Sequence, residues 1–144
     1  MFKLKNYDWS CELKMLEKLN DDNSFNMEFE KIKNIYPIDG CRDVYDFIKE
    51  NRGLIIVLNK IRYLLKEYAP YSYVKLFLDN DPLFVPQLWL AVRAPKKEFY
   101  NGFDDSIEKI ESTIAPLLVR LDLVVEFFIY DGIHWGYDNY RKIN

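Results

Sequence analysis

The sequence predicts a single α+β domain, with N-terminal helices followed by a three-stranded mixed β-β-α-β sheet. Three observations predict it. Apolar residues recur every three or four positions up to residue 70. From residue 72 the period shifts to two, with one further helical stretch before the last strand. The length, 144 residues, fits one domain able to bury a core without disulfides or metal.

Residues 1–70 form the helical part. Trp9 to Leu19 places Leu13, Leu16 and Leu19 at helical spacing, with Ser10 as the expected N-cap. Asn20 to Asn23 is a turn. A second helix, Ser24 to Ile35, aligns Phe25, Phe29 and Ile32, and Pro37 stops it by biasing Tyr36 out of helical angles. A third, Arg42 to Glu50, groups Val44, Phe47 and Ile48, and Asn51-Arg52-Gly53 interrupts it. The fourth carries the clearest pattern: Leu54, Val57, Leu58, Ile61, Leu64, Leu65 and Tyr68 span four turns, ended by Ala69-Pro70.

Residues 71–131 form the β-β-α-β part. Ser72 to Leu78 alternates, Asp79-Asn80-Asp81-Pro82 turns the chain, and Gln87 to Arg93 alternates again. A fifth helix starts at a capping box of Asp105 with Glu108 and buries Ile107, Ile110, Ile114, Leu117, Leu118 and Leu121. Pro116 is expected to kink or end it near residue 118. Leu123 to Tyr130 is a nearly continuous apolar strand.

A single helix between the second and third strands makes that pair parallel and the crossover right-handed. The expected strand order is 2-1-3, with the first strand in the middle. A short strand within residues 133–140 of the aromatic tail, 132–144, would cover the outer edge of the third strand. The helices 54–68 and 105–118 are expected on the aliphatic face: Val74, Leu76, Leu78, Leu88, Leu90, Val92, Val125, Phe127 and Ile129.

The opposite face carries Tyr73, Lys75, Phe77, Trp89, Arg93, Glu126, Phe128 and Tyr130. So many rings need shelter from water. Residues 9–36 are the simplest cover; a second copy or another protein is the alternative. Aromatics and Arg are the residue types that carry interface energy. Tyr73, Lys75, Phe77, Trp89, Arg93, Phe128 and Tyr130 are therefore the candidate interaction residues, and Trp135 to Tyr140 is a second candidate surface.

Three stretches carry a resemblance: the strand running into Asp79-Asn80-Asp81-Pro82, the strand Gln87-Leu88-Trp89-Leu90-Ala91-Val92, and the acidic helix start Asp104-Asp105-Ser106-Ile107. On these, Tyr71 to Tyr130 with the preceding helix resembles a loose group of small uncharacterised prokaryotic proteins. That group has a β-β-α-β core and no assigned activity. The resemblance covers about half of the chain. It implies the core fold and transfers no site.

Chemistry is sparse. With 20 Lys+Arg against 23 Asp+Glu, the net charge of −3 excludes a strongly basic nucleic-acid binder or polybasic membrane-surface protein. An aromatic sheet face is how single-stranded nucleic acid is stacked. Here, though, acidic side chains outnumber basic ones after residue 70, and Glu126 shares the face. Two Cys and one His are too few for a standard zinc site. Cys11 or Cys41 with His134 would be a Cys–His pair by elimination alone.

The five glycines are scattered, so no phosphate-cradling loop is present and no cofactor is implied. Asp79 and Asp81 sit on one strand face and, with Glu126, would suit a metal-dependent phosphoryl- or nucleotide-handling enzyme. A capped turn explains them more simply. No signal peptide or membrane span is readable, so a cytoplasmic chain with two reduced thiols is expected. The expected function is non-enzymatic, through protein–protein contact or homodimerisation.

Overall fold

The computed structural model describes residues 10–79, 83, 85–131 and 140–144, those at 128–131 by backbone alone. Six helices and four strands follow in chain order: α1 (Ser10–Leu19), α2 (Asp22–Ile35), α3 (Cys41–Glu50), α4 (Leu54–Tyr68), β1 (Tyr73–Asp79), β2 (Gln87–Ala94), the single turn α5 (Lys96–Glu98), α6 (Asp104–Leu121), β3 (Val125–Asp131) and β4 (Arg141–Lys142). The α+β class with N-terminal helices and a mixed sheet is therefore as the sequence predicts. The sheet has a fourth, two-residue strand.

Local chemistry sets the element ends. Asp21, rather than Ser24, opens α2: its Oδ2 accepts the Ser24 N–H at 2.9 Å. Tyr36 leaves the helix in extended geometry before Pro37. The next residues then line the outer edge of β1, where the Leu76 N–H donates to the Pro37 carbonyl at 2.8 Å and the Asp39 N–H to the Leu76 carbonyl at 2.9 Å. Helix α4 is the hub of the helical layer. Leu54, Ile55, Val57, Leu58, Ile61 and Leu65 are buried almost all round it, as a central helix requires.

The entry to α6 differs from the capping box expected at Asp105. Phe103 precedes the helix with no side-chain cap and already has helical angles. The chain arrives through the α5 turn and a bend at Asn101-Gly102, where Gly102 takes φ +91°, a conformation that favours glycine. Helix α6 then runs through Pro116 to Leu121. Its end is fixed by Asp122 in the left-handed region, with the Leu123 N–H returning to the Leu118 carbonyl at 2.9 Å. Pro116 is exposed, so the Ser112 carbonyl it leaves unbonded is on the solvent side of the helix. Buried Ile114 and Leu117 hold the helix on either side of the ring. Replacing Pro116 by Ala is expected to raise the unfolding free energy by about 1–2 kcal/mol, read by urea denaturation.

The strand order is β3-β2-β1-β4, which corrects the expected 2-1-3. The second and third strands are parallel, as predicted, but they are direct neighbours: Leu88 pairs with Val125, Leu90 with Phe127 and Val92 with Ile129. The reason lies on the far edge of β1. Residues 37–39 and the β4 strand occupy that edge, so β3 joins the free side of β2. The tail strand likewise sits at 141–142 against Tyr73 and Val74, not beside β3. Residues 133–139 lie outside the described residues.

The aliphatic face is the core. Val74, Leu76, Leu88, Leu90 and Val92 are fully buried, Val125 nearly so, and Leu78 and Phe127 pack at its margin. They share one cluster with the stripes of α4 and α6. Each such side chain contributes about 1.5–3 kcal/mol of apolar burial. Leu19, Phe25, Phe29 and Ile32 of α1 and α2 join the same cluster. The N-terminal helices therefore pack with α4 on this side, and the expectation that they cover the aromatic face does not hold.

Candidate interaction face

The register assembles the candidate residues on the second face. Across β1 and β2, Tyr73 faces Arg93, Lys75 faces Ala91, and Phe77 faces Trp89. Across β2 and β3, Trp89 is beside Glu126, Ala91 beside Phe128 and Arg93 beside Tyr130. Backbone position thus puts all seven predicted residues on one face; the side chains of Phe128 and Tyr130 are outside what is described. Tyr73, Phe77 and Trp89 are half-buried and stand apart from the core cluster. The Phe77 and Trp89 rings stack across the strands, centroids 6.4 Å apart and planes 10° from parallel.

Among the described residues, Tyr140 near the C-terminus covers part of this face. The Tyr140 ring lies 4.7 Å from Lys75 Nζ and 4.9 Å from Arg93 Cζ, bridging the two cations. Ala91 lies between them in register and is fully buried although it is no part of the core cluster. Lys75 also pairs with Asp39 Oδ2 at 2.9 Å, a partner delivered by the chain alongside β1. The tail is fastened beyond the ring. Ile143 is 6% exposed and donates its N–H to the Ser72 carbonyl at 2.8 Å. Arg62 Nε donates to the Asn144 carbonyl at 2.6 Å, and Arg141 Nη1 to the Asn34 carbonyl at 2.5 Å.

The face ends at β3, an edge of the sheet among the described residues. Glu126 there converges with Glu108 and Glu111 of α6 along a groove of about 430 Å³. Burial and the charges of Glu126 and Glu108 push the Glu111 carboxyl above its usual range. No cation among the described residues pairs with these three carboxylates.

Among the described residues, the side chains named for the alternative chemistries are not brought together. Asp79 is exposed at the end of β1, with β2 lying between it and Glu126, and Asp81 is outside the described residues. Among the described residues, no three His, Cys, Asp or Glu side chains are grouped to hold a metal ion. Cys11 and Cys41 are free, exposed thiols; His134 is outside the described residues. No helix among the described residues is long and apolar enough to cross a membrane. No family model, curated protein or solved structure matches the chain.

Proposed function

We propose that this chain acts in the cytoplasm by self-association, as a homodimer joined through the second face of its sheet, and has no catalytic role of its own. The observation that carries this reading is the mixture of charge and rings on that face. Cationic Lys75 and Arg93 lie near the middle beside Tyr73, Phe77 and Trp89, and Glu126 stands at the β3 end with no cation paired to it among the described residues. A two-fold axis on such a surface sets the Glu126 of each copy against the cations of the other, and buries the stacked rings between them. The two exposed thiols fit a reducing compartment.

Sedimentation velocity over a concentration series tests this with two variants. Trp89→Ala removes a ring from the face and is expected to weaken association at least tenfold, with a smaller loss of stability. Leu90→Ala, one residue along on the aliphatic face, is expected to cost about 2–5 kcal/mol of folding while its folded fraction associates as before. A wild-type chain that sediments as a monomer throughout, or a Trp89→Ala chain that associates as tightly as wild type, overturns the reading.

A further inference from the structure

The groove between α2 and α3 lies outside the sheet face and independent of it. We propose that this groove is a binding site for a small planar aromatic molecule carrying one anionic group, a carboxylate or a phosphate. The two helices, joined by the Tyr36–Gly40 connection, leave a cleft of about 390 Å³ between them, within the range of small-molecule sites. Asn26, Phe29, Glu30 and Lys33 line it from one face of α2; Arg42 and Tyr45 line it from α3.

Its aromatic wall is already rigid. The Tyr45 ring meets Phe29 edge-on at 5.0 Å and Phe25 at 5.7 Å, and its hydroxyl donates to Asn26 Oδ1 at 2.5 Å. That bond uses the amide oxygen of Asn26, a residue that also lines the cleft. Tyr45 is only half-buried, with Lys49 Nζ 5.8 Å from its ring centroid, so a ligand ring finds a fixed aromatic edge and little ordering entropy is lost.

The rim selects the charge. Arg42 is exposed and has no ion pair, hydrogen bond or ring contact among the described residues. Among the described residues the Lys33 ammonium is tied only to Glu30, at 3.5 Å, with Lys33 half-buried and Glu30 exposed. The lining therefore has one positive charge in excess, and its free member is a guanidinium, whose planar fork matches a carboxylate or phosphate edge. A ring against Tyr45 and an anion on Arg42 satisfy both features at once. A bare anion would leave the wall unused, and an uncharged ring would leave Arg42 without a partner.

Cys41 lines the same cleft, and Cys11, equally exposed, lies on α1 away from it. The pair supplies a reporter and an internal control. Alkylation of the full chain by iodoacetamide is followed at both thiols by mass spectrometry with phenyl phosphate, benzoate, inorganic phosphate or benzyl alcohol present. Phenyl phosphate, benzoate or both are expected to slow labelling of Cys41 and leave Cys11 unchanged, with inorganic phosphate and benzyl alcohol at least tenfold weaker. Arg42→Gln, which removes no hydrogen bond, ion pair or ring contact among the described residues, is expected to raise the half-protecting concentration at least tenfold with an unchanged melting temperature. The proposal is overturned if neither aryl anion protects Cys41, if inorganic phosphate protects as well as they do, if Cys11 is protected equally, or if Arg42→Gln protects like wild type.

Discussion

Tyr36→Ala is expected to lower the unfolding free energy by about 3–5 kcal/mol, a large share of the roughly 5–15 kcal/mol that holds a domain folded. Tyr36 is among the largest fully buried side chains, and its ring joins the C-terminal end of α2 to the hub helix α4. Its hydroxyl donates to the Leu58 carbonyl at 2.6 Å. Truncation opens a cavity in the middle of the helical layer; Tyr36→Phe removes only the hydrogen bond and is expected to cost about 1–2 kcal/mol. The pair also has a pH signature. Burial pushes the Tyr36 phenol far above its ordinary range, with Arg62 opposing the shift weakly. Above about pH 10 the unfolded chain loses that proton while the folded chain keeps it, so stability falls as pH rises. Urea denaturation near pH 8 and near pH 11 should show a steep alkaline loss in wild type. The loss should be shallower in Tyr36→Phe, where Tyr71, raised by its own burial, still contributes.

Arg52→Leu is expected to cost about 2–4 kcal/mol, and Arg52→Lys to recover less than half of it. The guanidinium ties three helix ends together. It donates to the Leu19 carbonyl at 2.7 Å, the Asn20 carbonyl at 3.2 Å, the Lys49 carbonyl at 3.1 Å and Asp22 Oδ1 at 2.6 Å. It also lies 5.0 Å over the Phe25 ring. A lysine ammonium lacks the fork needed to serve the end of α1, the start of α2 and the end of α3 together. Arg52 lowers the Asp22 pKa, chiefly through their hydrogen bond. That part of the contact is present above the ordinary carboxylate range and is lost as pH falls through the lowered value. Denaturant midpoints of the two variants, at neutral pH and in acid, check both statements.

Arg52 shows where sequence reading stops. In the chain it is the middle of an interrupting Asn-Arg-Gly turn, and nothing local reveals contacts with residues some thirty positions away. Periodicity, by contrast, is a local property, and it located α4, the aliphatic strand positions and the shared face of Tyr73, Lys75, Phe77, Trp89 and Arg93. Alternation fixes which residues share a face whatever the order of the strands. The order itself depends on which edge stays open, and that was decided by residues 37–39 and 141–142, two short segments with no strand pattern of their own. Pro116 does not end α6 near residue 118 for a related reason: propensity marks a break, and the buried Ile114 and Leu117 stripe carries the helix on to Leu121. Tyr140 was legible as part of an aromatic tail, but its seat between Lys75 and Arg93 follows from β4 pairing.

Charge reversal measures the proposed dimer most directly. Glu126→Lys and Arg93→Glu each place like charges together twice across a two-fold interface, so each variant alone should sediment as a folded monomer. Mixed in equal amounts they should form a heterodimer, because both cross-interface contacts are then of opposite sign. Wild type and the mixture sedimenting as dimers, with both single variants monomeric, is the predicted result. A monomeric wild type, or a mixture that stays monomeric while its folded components match wild type by circular dichroism, would contradict it.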